Sequence, residues 1–228
     1  MNPIEEALAK GQPALSEYEA KGFLAGFGIP VCREVLARDP ELAVAEAAAI
    51  GFPVVLKASG AMLFHKTEVG GIALNLKTPE EVKEEARRLL RIQGCQAVLV
   101  QEMIQADREL VCGLTRDAQL GPCVMFGLGG ILTEVLDDAV FRLAPLTSTD
   151  ALEMMQEIRG AKILGPFRGQ LPMNRTALSR ILMALGTIAL EYEAIREIDL
   201  NPVKIQPDGS PVAVDALISL KMNTPVRH

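Results

Sequence analysis

The chain has 228 residues, 49% hydrophobic and 23% charged, a balance that provides for a buried core and excludes a disordered chain. Its formal charge of −6 repels polyphosphate backbones, and no run of lysine and arginine interleaved with aromatics offsets that, so nucleic acid is excluded as the expected partner. No apolar stretch approaches the roughly 20 residues of a membrane span, and the acidic start MNPIEEALAKGQ lacks the basic and apolar regions of a signal peptide, so a cytoplasmic protein without membrane contact is expected.

Ser16 followed by Glu19 forms a capping box ahead of a periodic apolar stretch that Gly28 and Pro30 end, which predicts a helix of about three turns. Residues 31–37 read as a strand, and Asp39 caps a helix that Pro40 opens and Gly51 stops. Two strands follow, PVVLKAS over 53–59 and an alternating segment over 71–77, separated by the loop GAMLFHKTEVGG. Thr78, Pro79 and Glu81 start a helix whose late Arg87, Arg88 and Arg91 suit the helix dipole, and 97–103 is a buried strand.

The second half begins with strands over 109–115 and 122–127, runs into the turn Gly127-Leu128-Gly129-Gly130, and continues with a strand over 139–144. Helices are predicted over 149–159 and 175–192, the latter capped by Asn174, before a closing hairpin. Without a repeat or a long linker, the chain reads as an α/β or α+β protein of two lobes, 15–104 and 105–220, with a hinge near 101–106. Cys32, Cys95, Cys112 and Cys123 show no close pairing and, with two histidines, make no ordinary zinc site; they read as free thiols.

The closing hairpin carries the strongest chemical signal. Glu197, Asp199 and Asn201 alternate with Arg196, Ile198 and Leu200 and share one strand face, while Gln206-Pro207-Asp208-Gly209 fits a type I turn with a glycine bulge closing a three-residue loop. That register sets Asn201 opposite Asp215, so an amide oxygen and a carboxylate could converge on one hard cation such as Mg²⁺. The competing reading is a solvated face, against which stands Asp215 interrupting the apolar run VAVDALI; Pro202 warns of a bulge.

Lys57, inside VVLKAS, must either snorkel out or meet a buried anion, such as a phosphate. Gly70 and Gly71 could bring backbone amides to phosphate oxygens, although no Walker string exists. His65 lies in the same loop and is either a surface residue or a nucleophile or acid–base group.

Four separated strings, LKASGAMLFHKTEVGGIALNL, VQEMI, GPCVMFGLGGILTEVLDDAVFRLAPL and IDLNPVKI with AVDALI, together resemble the ATP-grasp portion of ADP-forming acyl-CoA synthetases, over residues 15–219. The resemblance is to the small β subunit of an ADP-forming acetate–CoA ligase, a relative of the succinyl-CoA synthetase β chain. It implies an ATP-grasp fold of two α+β lobes clasping ATP or ADP, and conversion of acyl-CoA, ADP and phosphate to acid, CoA and ATP. A CoA-binding α subunit carrying a phosphohistidine loop is the implied partner in a heteromer.

The resemblance also implies roles. Lys57, Gly70 and Gly71 would meet the phosphates, and Glu102, Met103 and Ile104 the adenine, chiefly through backbone. Glu109 would meet the ribose, Arg142 a phosphate, and Asn201 and Asp215 the Mg²⁺. His65 would take part in the phosphoryl relay, Asp199 would stand near the incoming phosphohistidine, and Gly129 and Gly130 would admit the partner's loop. The alternative is a non-catalytic ATP-grasp module of a protein acetyltransferase system, which retention of Lys57, His65, Asn201 and Asp215 disfavours.

Overall fold

The computed structural model describes residues 2–60, 69–130, 138–166 and 169–222. Two compact units form, one from Ser16–Tyr18 with Cys32–Ile104 and the other from Met1–Leu15, Glu19–Val31 and Gln105–His228. Two helices lead the chain, α1 (Pro3–Ala9) and α2 (Glu17–Gly26). The first was not foreseen from sequence, yet its signals are local: Asn2 accepts from the Ile4 amide, Pro3 opens the helix, and Glu5 and Glu6 occupy its first turn.

The smaller unit contains β1 (Glu34–Ala37), α3 (Pro40–Ile50), β2 (Val54–Ser59), β3 (Ile72–Leu76), α4 (Pro79–Leu89) and β4 (Ala97–Glu102). Its strands form one sheet in the order β1-β4-β2-β3, with every pair antiparallel. The expected caps are present: Asp39 accepts from Leu42, and Thr78 and Glu81 make a reciprocal capping box. Val54, Leu56 and Ala58 on β2 join Val98 and Val100 on β4 in a core with Ala43, Ala47, Val82, Ala86 and Leu89 of the two helices. Strand alternation then sends Lys57 to the opposite face.

The larger unit adds β5 (Arg108–Asp117), β6 (Gly121–Leu128), β7 (Ala139–Leu143), α5 (Ser148–Glu157), a 3₁₀ turn (Ala161–Leu164), α6 (Arg175–Glu191), β8 (Ile195–Ile205), β9 (Pro211–Ala213) and β10 (Leu217–Leu220). The sheet runs β10-β8-β5-β6-β7, and β9 pairs with β8 beside β10. α6 carries the apolar stripe Leu178, Ile181, Leu182, Leu185 and Ile188 into a core shared with Leu110, Leu114, Val124, Phe126 and Ile198 of the strands. Arg116 donates to the carbonyls of Ala189, Ile195 and Tyr192, satisfying groups at the end of α6.

The expected division at residue 104 differs from the structure at its start. Residues 19–31, assigned to the first lobe from sequence, pack in the larger unit. The reason is apolar: Ala20 and Leu24 are fully buried in the larger core, and Phe23 and Phe27 set their rings 5.0 and 5.8 Å from Tyr192, both edge-on. Val31, expected to open a strand with 34–37, instead forms an isolated bridge to Ala213.

Candidate functional site

In the larger unit, pairing decides which side chains share a face. Leu110, Cys112 and Leu114 lie beside Val203, Leu200 and Ile198 and face the helices, so Glu109 with Lys204, and Gly113 with Asp199, face away from them. Between these pairs the register of β8 against β5 shifts by one, so that Asn201 and Pro202 together oppose Val111. This is the bulge that Pro202 foreshadowed; its extra residue keeps Asp199 and Lys204 on one face although their numbers differ by five.

The return strand follows the register expected of the hairpin. Gln206 N–H donates to Ser210 O at 2.9 Å across the tight turn, and Gly209, at φ +87°, occupies the position that needs a left-handed backbone. Val203 pairs with Ala213 on one side and Asp199 with Leu217 on the other, one continuous register that sets Asn201 against Asp215 in the interval where neither β9 nor β10 runs. The Val214 amide donates to Pro202 O at 3.2 Å inside that interval.

The face is acidic under strain. Burial first, then the charges of Glu197 and Asp215, push the Asp199 carboxyl up from its ordinary 3.8 to about 6. Asp215 is half-buried and accepts from its neighbour Ala216 at 2.9 Å, while Glu109 is balanced by Lys204 at 3.2 Å. A cation here would relieve the repulsion among Glu197, Asp199 and Asp215. Among the described residues no group of three or more His, Cys, Asp or Glu could hold a metal by itself. The donors present, an amide oxygen and carboxylates, fit Mg²⁺, which takes one or two carboxylates and fills its shell with phosphate and water, and not a metal needing a full protein cage. Cys112, one residue from Gly113 but on the helix face, has its thiol pushed up chiefly by burial and stays neutral.

In the smaller unit, the buried Lys57 meets an anion. Its Nζ donates to Glu17 Oε1 at 2.6 Å, and the two side chains are only 6% and 4% exposed. The lysine's buried anion is thus a carboxylate of the chain itself. Glu17 was not anticipated, because a contact across 40 residues leaves no local pattern. Gly70, at φ +63°, and Gly71 use their carbonyls: Gly70 O accepts from Arg88 at 2.7 Å and Gly71 O from the Ala58 amide at 2.7 Å. Glu102 accepts from both the backbone N–H and Nε of Arg33, at 2.7 and 2.9 Å, at the edge of the segment that continues through Met103 and Ile104. His65 lies outside the described residues.

One expectation needs correction. Arg142 pairs with Val124, a core residue, and so lies on the helix face of the larger sheet, opposite the face carrying Asp199 and Glu109. Its guanidinium forms an ion pair with Glu157 of α5. Gly129 and Gly130 lie close to β5: a Cβ on Gly129 would lie 2.7 Å from the Leu110 backbone, and one on Gly130 2.8 Å from Glu109 Oε2. These glycines let the turn lie against β5. Two buried charges were also missed. Asp138 accepts from the amides of Arg159 and Gly160 at 2.7 and 2.8 Å, and Arg108 donates to Gln170, Gly165 O and Leu171 O.

The ATP-grasp domain profile matches residues 6–220. The chain belongs to the ATP-grasp family. Among curated relatives, the Acetate–CoA ligase [ADP-forming] I subunit beta of Pyrococcus furiosus is 42% identical over 224 residues, covering 95% of this chain and 96% of that one. Among solved structures, Ca. Korarchaeum cryptofilum dinucleotide forming acetyl-coenzyme A synthetase 1 in complex with coenzyme A, Ca-AMPCP and HgCl⁺ aligns at a TM-score of 0.90 and 41% identity, over 96% of this chain and 98% of that chain. The same enzyme with coenzyme A and Mg-AMPPCP, its phosphohistidine segment pointing towards the nucleotide binding site, aligns at 0.85 and 42% over the same shares. The ATP-grasp chain described here is therefore of the mixed α and β type expected. Among its described residues no helix is long and apolar enough to cross a membrane.

Proposed function

We propose that this chain is the nucleotide-binding β subunit of an ADP-forming acyl-CoA synthetase, which converts acyl-CoA, ADP and phosphate to acid, CoA and ATP. A CoA-binding α subunit supplies the phosphohistidine. The observation that carries this reading is the acidic face of the larger sheet, where Asn201 and Asp215 stand in register beside a carboxyl, Asp199, whose pKa is raised by burial and then by its neighbours' charges. Supporting it are the relatives: an ADP-forming ligase β subunit that matches over nearly its whole length, and solved neighbours holding magnesium or calcium nucleotide analogues.

In this reading Asn201 and Asp215 hold Mg²⁺, and a magnesium ion bound there lowers the charge repulsion between nucleotide phosphates and an incoming phosphoryl group. Asp199 meets the phosphohistidine; with a carboxyl that gains a proton near pH 6, it can accept or donate a hydrogen bond to an imidazole. Lys57 provides positive charge for the phosphates, with Gly70 and Gly71 shaping the backbone beside them. Glu102, Met103 and Ile104 present backbone to adenine, Glu109 takes the ribose, and His65 serves the phosphoryl relay. The functional halves of this assignment are the lobes 15–104 and 105–220, with residues 19–31 counted in the second. Arg142 has no part in it. Catalysis is then mostly positioning and charge neutralisation, as phosphoryl transfer requires.

Reconstitution tests this directly. Mixed with the CoA-binding subunit of the same source, the chain should form ATP from acetyl-CoA, ADP and phosphate only when both subunits and Mg²⁺ are present. ATP formation without this chain, or none from the complete mixture across a panel of acyl-CoAs, would overturn the proposal.

A further inference from the structure

We propose that Glu17 is a positioning residue that holds the Lys57 ammonium aimed before nucleotide arrives; the inference rests on the nucleotide-binding reading above. Lys57 lies mid-strand with Leu99 and Ile72 as its cross-strand partners, so its long side chain rises from an apolar stretch of sheet. Burying an ammonium there without a counter-charge would be costly. Glu17 supplies the counter-charge at 2.6 Å, with both side chains more than nine-tenths buried. It is the first residue of α2, where the helix dipole favours a negative group. A flexible four-carbon side chain is thereby fixed in one arrangement, and the ordering that a phosphate would otherwise impose on it is already in place. The backbone works to the same end: Ala58, the next residue, donates to Gly71 O and ties β2 to the diglycine that follows the loop.

A purely structural ion pair would also be buried and short, so the test must separate stability from ligand binding. Mg-ADP titration and thermal unfolding are measured on the full chain and on Glu17→Gln, Lys57→Met and the double variant. The expected result is that Glu17→Gln weakens Mg-ADP binding by about tenfold or more, and that the double variant binds no worse than Lys57→Met alone, because coupled residues are non-additive. Unchanged affinity in a folded Glu17→Gln protein, with only its Tm lowered, overturns the proposal, as do losses that multiply in the double variant. If Lys57→Met leaves affinity intact, the assignment of Lys57 to the phosphates fails and this inference with it; absence of binding to the unaltered chain refutes the nucleotide reading itself. Should Glu17→Gln not fold, Glu17→Asp keeps the charge one methylene short and should bind more weakly than the unaltered chain; equal affinity overturns the proposal.

Discussion

Asp199→Asn should stabilise the ligand-free protein above pH 6 and lose that advantage in acid. The Asp199 carboxyl is pushed from 3.8 to about 6 by burial and by the charges of Glu197 and Asp215. A folded-state pKa above the unfolded one means that the contribution of Asp199 to stability is fully present below pH 3.8 and is lost as pH rises through 6. At about 1.4 kcal/mol per pH unit the ceiling is about 3 kcal/mol, and screening of a partly exposed group reduces it to roughly 1–2 kcal/mol. Asparagine does not titrate, so the difference in unfolding free energy between the two proteins should grow by that amount from pH 4 to pH 7 and then level. Urea unfolding followed by circular dichroism over this range measures it. A difference that stays flat with pH would refute the claim that the acidic face is strained. In the same variant, the reconstituted enzyme should lose most of its activity while Mg-ADP binding persists, since Asp199 is assigned to the phosphohistidine and not to the metal.

Arg142→Ala should leave Mg-ADP affinity unchanged and cost no more than about 1 kcal/mol, because it removes only a part-exposed ion pair with Glu157; a loss of affinity by titration would return Arg142 to the site. Arg108→Met should destabilise by about 3 kcal/mol or more in urea unfolding, since a buried guanidinium leaves Gln170 and the Gly165 and Leu171 carbonyls without their donor. Gly129→Ala should cost about 1–3 kcal/mol by thermal unfolding, as its Cβ would lie 2.7 Å from the Leu110 backbone.

Local signals carried most of the fold. Caps at Asp39, Thr78 and Asn174, and the turn around Gly209, are written in neighbouring residues, and the structure has them. The hairpin register was legible for the same reason, since a tight turn of known length fixes which residues face each other. What the sequence concealed was long-range. Nothing near Glu17 announces a partner 40 residues away, and nothing in 19–31 tells which of two apolar cores its Phe23 and Leu24 will join. Arg142 shows the converse error: family resemblance suggested a phosphate, but the face on which a strand residue lies depends on the pairing of β6 with β7, which only the structure supplies.

The central claim is that Asn201 and Asp215 form the cation-binding part of a nucleotide site. Calorimetric titration of ADP into the full chain, with and without Mg²⁺, beside Asp215→Ala, tests it most directly. Binding should require Mg²⁺ in the unaltered chain, and the Mg²⁺-dependent part should vanish in Asp215→Ala while the protein stays folded. Equal affinity with and without Mg²⁺, or full Mg²⁺-dependent binding by Asp215→Ala, would contradict the account.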